Sequence, residues 1–126
     1  MVGDRTADIQ LRPDGVVEVR IHPGVRQTVE NANANLSAAI EARGGIRRPI
    51  LVDISRAEPL DNEVRRRYAG PSLAVAFTAV GLLVEASPFG RMIGNIYLRI
   101  AQLGVPTKLF VDEGAAIAWL RELRRE

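Results

Sequence analysis

The run Ile50-Leu51-Val52-Asp53-Ile54 constrains this chain more than any other feature. A strand that is wet on one face alternates apolar and polar side chains. A strand that is apolar at nearly every position has both faces covered, as in the middle of a parallel sheet. Parallel neighbours must then be joined by crossovers, and the flanking sequence supplies helices for them. Upstream, Val25, Val29, Ala32, Leu36 and Ile40 recur at three- and four-residue spacing. That period predicts a helix over 25–43, closed by Gly44-Gly45.

The remaining elements follow the same logic. Ile9-Gln10-Leu11 alternates and meets Arg12-Pro13-Asp14-Gly15, a turn signal. Val17, Val19 and Ile21 then alternate with Glu18, Arg20 and His22, so the chain opens with a hairpin that is wet on one face. Residues 61–68 read as a short polar helix with Asp61 at its N-cap position, and 72–77 as a further helical turn. Val80 to Val84 is the next strand. Ser87-Pro88 is a helix start, and Phe89, Met92, Ile93, Ile96, Tyr97, Ile100 and Leu103 make a broad apolar stripe up to Gly104. Thr107 to Val111 is a last strand, and Asp112 caps a helix that buries Ala116, Trp119, Leu120 and Leu123. The order β-β-α-β-α-β-α-β-α predicts an α/β fold: a mixed, mostly parallel sheet with an opening β-hairpin and helices over it.

With 126 residues, 47% hydrophobic and 25% charged, the chain has the length and mix of one globular domain spanning 1–126. Residues 1–7 are expected to form a disordered tail, and the polar N-terminus, Met1 to Asp8, has no apolar signal core. The longest nearly apolar stretch, Leu73 to Val84, is too short for a bilayer, so no membrane span is expected. With no cysteine there is no disulfide framework, which fits a cytoplasmic protein. Net charge is only +2 and the 16 arginines are scattered among carboxylates, which argues against a nucleic-acid surface.

Few residues carry chemistry. His22 is the single histidine, so no metal centre is expected without several carboxylates beside it. A hydrolase would need His22 to meet Ser55 or Ser87. Asp53 is an acid inside a buried strand, near the strand end where open α/β sheets place ligand crevices. It either marks a site or accepts backbone N–H groups and an arginine. Ser87, Arg91 and Asn95 gather at a helix start, with Arg91 and Asn95 one turn apart. That is a candidate anion anchor. Asn31, Asn33 and Asn35 fall on alternate helical positions, which do not share a face. No glycine-rich phosphate loop, dinucleotide fingerprint or nucleophile elbow is present, so neither a cofactor nor an enzyme is expected.

In its opening hairpin, the strand Leu51-Val52-Asp53-Ile54-Ser55, the short helix around Asp61, the segment Ser87-Pro88-Phe89-Gly90-Arg91-Met92-Ile93-Gly94-Asn95 and the ending Leu109-Phe110-Val111-Asp112 to Trp119-Leu120, the chain resembles the STAS-like family. That is the fold of bacterial anti-sigma-factor antagonists. The likeness runs over about residues 8–124 and is nearest to small STAS-like or CRAL-TRIO-like bacterial proteins. It implies a non-enzymatic regulatory or binding module that works through a protein partner or by self-association as a homodimer. It also implies a phosphorylatable Ser or Thr after an Asp at the start of the second helix. Asp61 matches that Asp, but Asn62 stands at the acceptor position and Glu63 where a small residue is usual. The phospho-switch is therefore not expected, with Ser55 the remaining hydroxyl nearby. The CRAL-TRIO comparison implies a second reading. It is a carrier of a small apolar or anionic, lipid-like ligand, pocketed beside 88–103 and 73–77 and anchored by Arg91.

Overall fold

The computed structural model describes residues 6–68, 72–88, 90–92, 95 and 104–124. Among them lie the strands β1 (Ala7–Leu11), β2 (Val17–Ile21), β3 (Arg48–Asp53), β4 (Phe77–Leu83) and β5 (Thr107–Phe110). The helices are α1 (Val29–Ala42), α2 (Asn62–Tyr68), α3 (Ser72–Ala76) and α4 (Glu113–Arg124). The sheet order is β1-β2-β3-β4-β5, with β1 antiparallel to β2 and every later pair parallel. The fold is the α/β architecture with a mostly parallel mixed sheet that the alternation of elements predicts.

A sheet whose parallel strands advance in one direction, joined by right-handed crossovers, sends those crossovers to one face. Accordingly α1 and α3 pack with Val17, Val19, Ile50, Phe77, Val80 and Leu82 on the first face. Helix α4 follows the last strand and has no further strand to reach. It folds back on the second face, where Ala116 and Leu120 meet Val16, Leu51, Ala79 and Leu83. Gly81 makes room for it: a Cβ there would stand 3.2 Å from Leu120 Cδ1. Helix α2 stacks on α1 instead of the sheet, through Ala32, Leu60 and Val64. No described helix is long and apolar enough to cross a membrane.

Several boundaries move from where periodicity puts them. Helix α1 begins at Val29, not Val25, because Thr28 closes a capping box with Asn31: Thr28 Oγ1 accepts from Asn31 N at 3.2 Å and Asn31 Oδ1 from Thr28 N at 2.9 Å. It ends before Gly44, whose φ of +70° only glycine adopts easily. Strand β3 starts at Arg48 and stops at Asp53, with a register shift between Arg48 and Ile50 that accommodates Pro49. Strand β4 starts at Phe77, three residues early, because the Phe77 ring is wholly buried in the core. Residues 6 and 7 do not belong to a disordered tail, since Thr6 and Ala7 are buried, and residues 1–5 lie outside the described residues. Met92 is 50% exposed instead of joining an apolar stripe. The rest of that stripe, Phe89, Ile93, Ile96, Tyr97, Ile100 and Leu103, lies outside the described residues.

Leu120 is the side chain on which the second face closes, and it has no solvent exposure. Leu120→Ala should therefore cost about 2–5 kcal/mol, the range for a large-to-small change in a core that cannot collapse around it. Urea unfolding measures the cost. A loss below about 1 kcal/mol would mean that α4 is not seated on the sheet as described.

Candidate functional site

Between the first face of the sheet and the helices α1, α2 and α3 lies a cavity of about 70 Å³. Its body is apolar, walled by Val19 and Ile50 of the sheet, Leu36 and Ala39 of α1, and Leu73 of α3, among others. Polar side chains border it where α2 crosses α1: Gln27, Asn35, Arg65 and Tyr68. Arg65 and Tyr68 are three apart, so the helical repeat brings them to one face of α2. Such a hollow, apolar with a few convergent polar groups, is the usual form of a small-molecule site.

The polar end is a closed network. Gln27 Oε1 accepts from Thr6 Oγ1 at 3.1 Å, from Asn35 Nδ2 at 3.2 Å and from the Tyr68 hydroxyl. Asn35 Nδ2 also donates to the Tyr68 hydroxyl at 2.9 Å and to Thr6 Oγ1 at 3.0 Å, while Asn35 Oδ1 accepts from Thr6 N at 3.1 Å. Four residues from β1's approach, the loop before α1, α1 and α2 thus satisfy one another. Burial pushes the Tyr68 hydroxyl up to about 12, against a weaker lowering by its bond from Asn35. Arg65 differs. Its terminal nitrogen donates to Asn62 Oδ1, but its Nε–H is buried and has no acceptor among the described residues. A buried donor left unpaired costs about 1–3 kcal/mol.

Asp53 sits elsewhere, on the second face. Arg20 and Glu18 of β2 point the same way, and α4 covers β3 and β4 but not this part of β2. One Asp53 oxygen accepts from Ser55 N at 2.9 Å and Ser55 Oγ at 2.6 Å, and the other takes Arg20 NH1 at 2.6 Å. The same guanidinium reaches Glu18 at 3.3 Å and Glu113 of α4 at 2.5 Å. These partners, Glu113 first, raise the Arg20 pKa against the opposing effect of burial. Asp53 and Ser55 therefore serve a structural clamp. His22 Nε2 lies 3.0 Å from Asp8 Oδ1, and among the described residues no hydrogen bond joins it to Ser55 or Ser87.

The other residues the sequence nominates are scattered. The Asp61 carboxylate pairs with Arg26 at 3.0 Å, and its carbonyl accepts from Arg65 N at the start of α2. Asp61 and Asn62 are both exposed. Ser87 Oγ accepts from Gly90 N at 3.0 Å, which is the helix cap expected of it. Arg91 and Asn95 are exposed and do not line the cavity, so its polar end falls to Arg65. A more polar crevice of about 190 Å³ does open past the ends of β3 and β4, between Ser55, Arg56, Glu58, Glu85 and Gly90. Its hydroxyl, Ser55, is already bonded to Asp53. The signal that sequence reading passed over is Asn35. It falls inside the apolar stripe of α1, where an amide must have buried polar partners.

Two measurements test these readings. The unfolded-state tyrosine pKa is about 10. A folded value near 12 means that stability, complete below pH 10, falls as pH rises from 10 to 12. The loss should reach about 2–3 kcal/mol by chemical denaturation. It should be absent in Tyr68→Phe; an equal alkaline loss in that variant would rule out Tyr68 as its source. In a double-mutant cycle, Arg20→Ala and Glu113→Ala should be non-additive. Arg20→Ala itself should cost about 1–2 kcal/mol, since Arg20 is 42% exposed and solvent screens part of its field.

No curated protein matches the chain. Among solved structures, a protein with unknown function from Arthrobacter sp. FB24 is 28% identical over 90% of this chain and 97% of its own, with a TM-score of 0.36. The family model described as "Domain of unknown function (DUF7793)" matches residues 9–124, nearly the whole length, and the chain belongs to that family.

Proposed function

We propose that the chain is a non-enzymatic binding module whose cavity between the sheet and α1–α2 takes up a small molecule. The observation that carries this is the hollow itself, apolar over most of its wall and bordered by Gln27, Asn35, Arg65 and Tyr68 where α2 crosses α1. A core closes around itself unless something else fills it. A hollow left open in such a core therefore favours an occupant. The side chains that could do chemistry are engaged elsewhere: Ser55 with Asp53, Ser87 with Gly90, and His22 with Asp8. The size narrows the carrier reading. At about 70 Å³ the hollow suits a few heavy atoms and is too small for an acyl lipid.

A second reading, contact with a protein partner, draws on the STAS-like resemblance. That likeness puts the contact at the start of α2, and Asp61, Asn62 and Glu63 are all exposed there. The two readings meet on one helix, since α2 carries Arg65 and Tyr68 on its inner side. On this view the module is regulatory and cytoplasmic, and occupancy of the cavity sets how α2 is presented.

Native mass spectrometry of gently purified protein should show a small adduct that denaturation releases. Ala39→Leu adds three carbons at a cavity wall. It should be tolerated where the same change in a filled core costs about 1–3 kcal/mol, and it should abolish the adduct. Destabilisation of that size, or an adduct that survives the substitution, would sink the ligand reading.

A further inference from the structure

We infer that the free edge of the sheet at β1 pairs antiparallel with β1 of a second copy of this chain, about a two-fold axis at Ile9, with the two α1 helices side by side above it. This contact is separate from the cavity and does not depend on its occupancy.

Three observations lead to it. The first is the edge itself. Among the described residues β1 has a neighbouring strand on one side only. His22 N donates to Thr6 O and Arg12 N to Val16 O, so in this register the even-numbered residues of β1 bond to β2. The N–H and C=O groups of Ala7, Ile9 and Leu11 therefore point away from the sheet. Natural edges are commonly blocked by a lysine, a proline or a bulge. Ala7–Leu11 has none of these, and Leu11 is 41% exposed.

The second is the side-chain pattern. A two-fold axis at Ile9 sets Ile9 against its own copy, Ala7 against Leu11 and Asp8 against Gln10. The small Ala7 leaves room for Leu11, and the Asp8 carboxylate meets an amide donor. Gln10 gives one Nε2–H to Glu18 and has a second to offer. The neighbouring registers are worse. Centring on Asp8 sets two carboxylates face to face, and centring on Gln10 sets Ala7 against Pro13, which has no N–H.

The third is the helix above. α1 packs on both β1 and β2. Strands lie about 4.8 Å apart, so a helix lying between these two stands roughly 10 Å from its two-fold copy, the distance of helices in contact. Such an approach needs small side chains. Asn33 bonds Arg67 on the α2 side of α1. By helical period the other flank, which overhangs β1, carries Ala34, Ala38 and Ala42, each one turn apart. The strand edge and the helix flank thus fit the same occupant.

Sedimentation of the full chain at high micromolar concentration should give twice the mass of one chain. Leu11→Pro removes an outward N–H that β2 does not use, and Ala38→Arg puts a long side chain on the helix flank. Each should keep the native circular dichroism and sediment as a monomer. The chain has no cysteine, so introduced ones report the register. Asp8→Cys mixed with Gln10→Cys should cross-link on mild oxidation, since these positions stand opposite each other, about 4.5 Å apart. Neither should cross-link to itself, since like positions lie on the diagonal, roughly 7–8 Å apart. A native chain that sediments as a monomer overturns the pairing, even if the edge accepts some other extended peptide. So does a dimer that survives either substitution in a folded chain. If Leu11→Pro loses its fold, Ala38→Arg decides alone. Cross-linking of Gln10→Cys to itself in place of the mixed pair overturns the axis at Ile9.

Discussion

The second face of the sheet depends on one guanidinium. Helix α4 covers β3 and β4 but does not extend over β2, so Glu18 and Asp53 point into a region that is neither apolar nor open. Their side chains are only 5% and 11% exposed. Two carboxylates so placed would repel each other and lose hydration without an adjacent cation. Arg20 meets both and also takes Glu113, in the first turn of α4. One side chain thereby bridges the acids and joins β2, β3 and α4. Glu113 is well placed at a helix start, where the macrodipole favours negative charge. Arg12 and Gln10 complete the surround of Glu18. Helix α4 then covers part of this face, and charged side chains held by Arg20 fill the part beside it.

The first face is built on the opposite principle. It is apolar across the strands and roofed by α1 and α3, with α2 held above α1. Where α2 meets α1 the layers are joined by a buried polar network in place of apolar packing. A network of this kind tolerates no missing member, because each polar group is costly to bury alone. Thr6, Gln27, Asn35 and Tyr68 meet that condition among themselves. Arg65, beside them, does not. A satisfied network fixes where α2 sits. The hollow beneath it is then apolar along the sheet and bordered by polar side chains where α2 crosses α1.

Much of this was legible in the chain. The run Ile50 to Ile54 implied a covered central strand, and the register places β3 between β2 and β4. The stripe of α1, the caps at Ser87 and Asp112, and the inward Ala116 and Leu120 were readable because each is set by local period or by one cap. The start of α1 was less so. Apolar spacing continues back to Val25, and Thr28 with Asn31 overrides it through hydrogen bonds that a periodicity count does not see. Phe77 was misplaced for a related reason: as the last residue of a helical turn it looks local, yet its burial in the core decides that it begins β4. At the site, Asp53 stood out as an acid in an apolar run. Its partner Arg20 is 33 residues away, and no short-range pattern joins them.

By itself, then, the sequence determined the alternation of strands and helices, the mostly parallel sheet, the hairpin and the want of an enzyme's motifs. These follow from side-chain period, turn chemistry and composition, which act over a few residues. Only the tertiary structure decided which polar residues meet. Asn31, Asn33 and Asn35 look alike in the chain. The first caps a helix, the second binds Arg67 and the third anchors the buried network. Arg65 and Arg91 look alike as well, and folding sets one at the wall of a cavity and leaves the other in solvent. The physical reason is that burial is a property of the assembled layers. What a polar side chain can do depends on whether water can reach it and which distant partner arrives in its place.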